Sequence, residues 1–268
     1  MATSDYYAFR RGAQRPTLQY GELQRLMAAM FKGFEDEGWF QAKLGKDCVD
    51  DRSDIGAVVL ERLGFDYWPF SNSAAISDEE WVFTIIEFAY ANASKPVESF
   101  SHGWDNCGVH VTRSDDEAGR REFRERMNAL LGRYITPYEL RANGEIWALA
   151  PTGLEDIEPT PTGEPSIDDR IQSAIRSFRR YGANDDGKRQ AVRDLADVFE
   201  YLRSTVGTQL LTKDESDLFN IANNFGIRHH NPKQKTDYDS GVWLEWMFFT
   251  YLNTLNLVTK LLPQTRAN

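Results

Sequence analysis

The residues with the most chemistry per position lie in NNFGIRHHNPKQ (223–234), where Arg228, His229 and His230 stand amid amide side chains. A histidine is the side chain best suited to moving a proton near neutral pH, and an arginine fork grips two phosphate oxygens at once. Asn231 precedes Pro232, and proline disfavours the α-region for the residue before it, so a helix cannot run through 231. In an extended connector side chains alternate, which puts Arg228 and His230 on one side and His229 on the other. Histidines and asparagines in such a place also cap helix ends, and that plainer role competes with chemistry.

A second group is SHGWDNCGVHV (101–111), with His102, Asp105, Cys107 and His110. The C-x-x-H spacing of Cys107 and His110 offers two corners of a zinc site, which His102 or Cys48 would complete. No second tight ligand pair accompanies it. The expectation is therefore a small buried cysteine beside a hydrogen-bonded histidine, with no metal and no other cofactor.

These residues must be positioned by helices for the most part. Helix patterns run over 18–37, 53–63 (stopped by Gly64) and onward from Ser114, where Phe123, Met127, Leu130, Leu131 and Tyr134 recur at helical spacing. Ser77 with Glu80, Ser114 with Glu117 and Thr212 with Glu215 have the form of capping boxes. One hairpin is expected, in YELRANGEIWALA (138–150), turning at Asn143-Gly144. Four prolines and two glycines in APTGLEDIEPTPTGEPS (150–166) then mark an exposed linker.

Beyond it the sequence predicts four helices, over 166–181, 186–204, 213–225 and 239–262, joined as a bundle. The last is apolar on nearly every side (Trp243, Trp246, Phe248, Phe249, Leu252, Leu255), which would make it the central element. The fold class is mainly α: an N-terminal helical domain with a β-hairpin (1–150), a linker (151–165) and a C-terminal helical bundle (166–268).

A formal charge of −10 opposes indiscriminate nucleic-acid binding, so any such site must be local. Arg176 with Arg180, and Arg189 with Arg193, form i,i+4 pairs around the turn at Gly182, with Lys233 and Lys235 following the histidines. Asp185, Asp186, Asp194 and Asp197 are interleaved with them, as on an ordinary solvated face. Two cysteines are too few for a disulfide framework, and the start MATSDYYAFRRG lacks the apolar run of a secretory signal, which points to the cytoplasm. The stretch 242–258 is broken by Glu245, Asn253 and Asn256 and falls short of the ~20 apolar residues of a membrane span.

With LFNIANNFGIRHHN before a long aromatic helix, the C-terminal bundle resembles the HEPN superfamily (higher eukaryotes and prokaryotes nucleotide-binding domains). CGVHV, RERMNALL and YELRANGEI are similar to N-terminal regions of bacterial abortive-infection proteins of the AbiJ kind. The resemblance implies metal-independent RNA cleavage in antiphage defence or toxin action, with paired active sites in a homodimer. It implies an arginine that stabilises charge on the scissile phosphate and a histidine that moves the proton of the 2′-hydroxyl or leaving group. In the R-x4–6-H pattern the histidine would fall at Lys233, Gln234 or Lys235, and none is one; His229 and His230 stand closer to Arg228 instead. Two functions follow: an endoribonuclease centred on Arg228 and His230, or a non-catalytic module that binds RNA or a protein partner through the same bundle.

Overall fold

The computed structural model describes residues 6–46, 48, 53–103, 107–150, 154, 157–203, 216, 217, 220, 221, 227 and 238–261. The chain is mainly α, with two small antiparallel hairpins, and divides into two compact units, Met1–Ala148 and Leu149–Asn268.

The first unit holds α1 (Tyr7–Arg10), α2 (Tyr20–Glu37), α3 (Gln41–Leu44), α4 (Ile55–Leu63), a 3₁₀ turn (Phe70–Ala75) and α5 (Glu79–Asn92). Strands β1 (Lys95–His102) and β2 (Gly108–Asp115), helix α6 (Asp116–Leu131), and strands β3 (Tyr138–Leu140) and β4 (Ile146–Ala148) follow. Helix α2 opens on a reciprocal cap that its sequence does not advertise. The Gln19 side chain accepts from the Glu22 amide, and Glu22 accepts from the Gln19 amide at 2.9 Å. Its apolar stripe, Leu23, Met27, Phe31 and Phe34, is fully buried. Phe34 lies 5.1 Å from the Phe123 ring and 4.5 Å from Trp39, and Phe40 meets Phe70 edge-on at 5.1 Å, so one aromatic core ties α2, the 3₁₀ turn and α6 together.

Two helix starts differ from expectation. Asp78 rather than Ser77 caps α5, accepting from the Glu80 amide at 2.9 Å, and Asp115 rather than Ser114 caps α6, accepting from Ala118 at 2.9 Å. A carboxylate also favours the positive end of the helix dipole, which the hydroxyl one residue earlier does not. The Thr212–Glu215 pair lies outside the described residues.

The hairpin expected at 138–150 is present, with Leu140 paired to Ile146 and Gly144 at φ 90° in the turn. A second hairpin, β1–β2, was not expected. Its register shifts between Pro96 and Ser99, which breaks the two-residue alternation, and its apolar Val97 and Phe100 face solvent. Cross-strand pairs hold it: Arg113 donates twice to Glu98 at 3.0 and 2.7 Å, and Phe100 stacks on His110 at 5.1 Å.

In the second unit, α7 (Pro165–Arg179), α8 (Asp185–Tyr201) and α9 (Ser240–Leu261) are described. Of residues 151–164, those described are in neither helix nor strand, although Pro159 is buried. The Thr162 amide and hydroxyl both donate to Asp168 at 2.8 Å, which fixes the entry to α7, and proline at the first helical position costs no hydrogen bond. Asn184 caps α8 by accepting from the Gly187 amide. Helix α8 packs along both α7 and α9, which meet each other where Phe178 stacks on Phe248 at 3.9 Å.

Among the described helices the central one is thus α8. Helix α9 buries Leu244, Met247, Phe248, Tyr251, Leu252, Leu255 and Val258 but leaves Val242 (62% exposed) and Trp246 (46%) to solvent, so its apolar surface is wider than the face its neighbours cover. Of the helix expected over 213–225, residues 216, 217, 220 and 221 are helical and the rest lie outside the described residues. No described helix is long and apolar enough to cross a membrane.

Candidate functional site

Arg228, His229, His230, Lys233 and Lys235 lie outside the described residues. Ile227, directly before them, is described and fully buried. Its carbonyl accepts a hydrogen bond of 2.6 Å from Arg193 Nε on α8, so the peptide leading into Arg228 is held by a charge-assisted bond on that helix. Residues 193 and 227 are too far apart for any local pattern to foretell this contact.

The remaining basic positions divide. Arg189 and Arg193 share one side of α8 a turn apart, as their spacing requires. Arg193 also donates to Gln190 at 3.3 Å, so its guanidinium is committed in part to protein acceptors. Arg176 is exposed in the last turn of α7, but Arg180 is the residue after that helix, with φ −59° and ψ 149°. The helical stripe expected of the pair therefore ends at Arg176, because the chain turns out of the helix toward Gly182. Arg179 is only 5% exposed and belongs to the interior, while Lys188 lies 5.7 Å from the Phe178 ring centroid. Acidic groups thread the same face: Arg170 reaches Asp194 at 3.4 Å and Asp197 at 3.5 Å, and Asp186 lies 3.9 Å from Arg189.

No protein-family model, curated protein or solved structure matches the chain.

The first unit brings a different set together. The ligand atoms of Cys48, Cys107 and His110 all lie within 4.8 Å of one another, with Cys107 Sγ 3.2 Å from His110 Nε2. Neither cysteine is in a disulfide. Asp105 lies outside the described residues, and for His102 only the backbone, paired with Gly108, is described. The hairpin that carries Cys107 and His110 is clamped from the side of α3. Gln41 donates to the Val109 carbonyl at 2.8 Å and accepts from the Val111 amide at 2.9 Å, and Lys46 donates to the same Val109 carbonyl. Gly38 permits that approach: a Cβ there would fall 2.7 Å from Gln41 Nε2 and from Val111 Cγ2, and its φ is 83°.

A pocket of about 220 Å³ lies beside Gln41 and Lys46, with Glu35, Phe40 and Trp68 among its walls. Burial pushes the Glu35 carboxyl above the usual glutamate range, against hydrogen bonds from the Ser71 amide (2.9 Å) and hydroxyl (2.6 Å). Both carboxylate oxygens serve the 3₁₀ turn, which is the work of a structural acid.

Proposed function

We propose that the chain is an RNA-directed protein of antiphage-defence or toxin type that acts in the cytoplasm, and that its second unit, as a HEPN-like bundle, cleaves RNA without a metal. The observation that supports the reading is the Arg193–Ile227 hydrogen bond, because the carbonyl that Arg193 holds is the one covalently joined to Arg228. An arginine on a regular helix thereby anchors the start of the connector on which the chemistry depends. In the reaction the 2′-oxygen attacks the adjacent phosphorus and the bond to the 5′-oxygen breaks. His230 moves the proton, Arg228 stabilises the phosphorane charge, and the products end in a 2′,3′-cyclic phosphate and a 5′-hydroxyl. His229 is the alternative proton carrier. Arg176, Arg180, Arg189, Lys233 and Lys235 supply a local attraction for phosphate in a chain of net charge −10.

The reading includes a homodimer with two connectors. Along α9, the exposed Val242, Trp246 and Asn253 recur at i, i+4 and i+11 beside Leu154, over the buried Phe249, a stripe that suits self-association. The same exposed stripe favours the second reading, a non-catalytic module for a protein partner. Purified protein incubated with single-stranded and transfer RNA in magnesium-free buffer separates the two. Cleavage abolished by Arg228→Ala and by His230→Ala, at unchanged melting temperature, supports the enzyme; cleavage unchanged in both variants removes these residues from the site.

A further inference from the structure

We propose that Cys48, Cys107 and His110 form a binding site for one zinc ion, which ties the segment after α3 to the β1–β2 hairpin. Both cysteines of the chain converge here with one of its four histidines, from segments nearly sixty residues apart. Zinc holds sulfur at ~2.3 Å and nitrogen at ~2.0–2.1 Å, so neighbouring ligand atoms on its tetrahedron lie about 3.5–3.8 Å apart. The observed 3.2 Å between Cys107 and His110, and the 4.8 Å bound on all three atoms, need adjustments of about 1 Å or less to match that tetrahedron. Thiols are weak hydrogen-bond partners and give little reason for such a gathering by themselves.

The surroundings keep these donors in place. Val109, in the middle of the C-x-x-H loop, has its carbonyl held by Gln41 and by Lys46, and Lys46 lies two residues before Cys48. The His110 ring stacks on Phe100 with an interplanar angle of 19° and presents Nε2 to Cys107, which makes Nε2 the ligating atom. Cys48 is 8% exposed and the other two are half-buried, so the ion is shielded yet can enter. Three protein ligands leave one position for solvent. Binding converts two thiols to thiolates and releases their two protons to solvent, so occupancy falls as pH is lowered.

This site does not rest on the RNA reading, and its test contains no RNA. Full-length protein purified under reducing conditions from zinc-supplemented cells is expected to carry about one zinc per chain. Replacing zinc with cobalt(II) is expected to give a thiolate-to-cobalt charge-transfer band and the intense visible bands of a tetrahedral ion. Cys48→Ser, Cys107→Ser and His110→Ala should each weaken zinc in chelator competition by more than the roughly 100-fold upper range seen for outer-shell partners. His110→Cys, which restores a ligand, should keep the stoichiometry and intensify the charge-transfer band. Wild-type protein with no more zinc than Cys48→Ser/Cys107→Ser, wild-type cobalt spectra without the thiolate band, or a Cys48–Cys107 disulfide in place of the metal would each overturn the proposal. Because the wild-type protein alone decides two of these outcomes, the cobalt spectrum and the disulfide, a variant that fails to fold does not shelter it.

Discussion

The two units bury their aromatic residues differently. In the first, Phe31, Phe34, Trp39, Phe40, Phe70 and Phe123 all turn inward and close one core, and the polar donors of the β1–β2 hairpin are braced against it through Gln41. In the second, α9 covers only part of its apolar surface and leaves Val242 and Trp246 outside. A closed core fixes the geometry of a small donor set; an unfinished one presents a surface. The contrast suits the two proposals, a fixed cation site in the first unit and a recognition surface in the second.

The largest expected effect tests the closed core. Phe34→Ala removes a ring that touches Trp39, Phe40 and Phe123 and that also lies 4.3 Å beneath the Arg126 guanidinium. It should cost about 3–5 kcal/mol in chemical denaturation. A loss below about 1 kcal/mol would mean that the core is not cooperative. Next in size is Arg193→Ala, which strips the Ile227 carbonyl of its charged donor and should cost about 1–3 kcal/mol. Arg193→Lys, lacking the planar fork, should recover part of it. If Arg193 merely faces solvent, both changes will leave the melting temperature alone.

Trp246→Glu should change the stability of the monomer by no more than about 1 kcal/mol, as for other exposed positions, while shifting sedimentation from dimer to monomer. An unchanged sedimentation coefficient would take the α9 stripe out of any two-fold interface. The smallest effect belongs to Glu35. Its folded pKa is raised, so its contribution to stability is fully present below the ordinary glutamate value and is lost as pH rises through the folded one. Glu35→Gln should therefore gain on the wild type as pH rises above the ordinary glutamate range in urea titrations, and parallel curves would contradict the assignment.

Where one face of an element meets one environment, the sequence was a sufficient guide. The stripe of α2, the glycine stop of α4 at Gly64 and the Asn143-Gly144 turn all follow from local periodicity and backbone preference. Contacts distant in sequence were not legible. The β1–β2 hairpin escaped because its bulge and its exposed Val97 and Phe100 erase the alternation that marks a half-buried strand. The breadth of apolar residues on α9 reads as burial, since periodicity cannot tell a covered face from one that awaits a partner. Cys107 and His110 were visible as a spaced pair, but the approach of Cys48 depends on how α3 meets β2, and that junction is set by Gln41 and Gly38.

The central claim is that Arg228 and His230 do phosphate chemistry rather than cap helices. The most direct test analyses RNA fragment ends after incubation with wild type, Arg228→Lys and His230→Asn in magnesium-free buffer. Wild type should yield 2′,3′-cyclic phosphate and 5′-hydroxyl ends, with His230→Asn slowed by about 100-fold or more and Arg228→Lys also severely impaired, since the first swap removes the proton carrier and the second the phosphate fork. Equal cleavage by all three proteins, or 3′-hydroxyl and 5′-phosphate ends from the wild type, would contradict it.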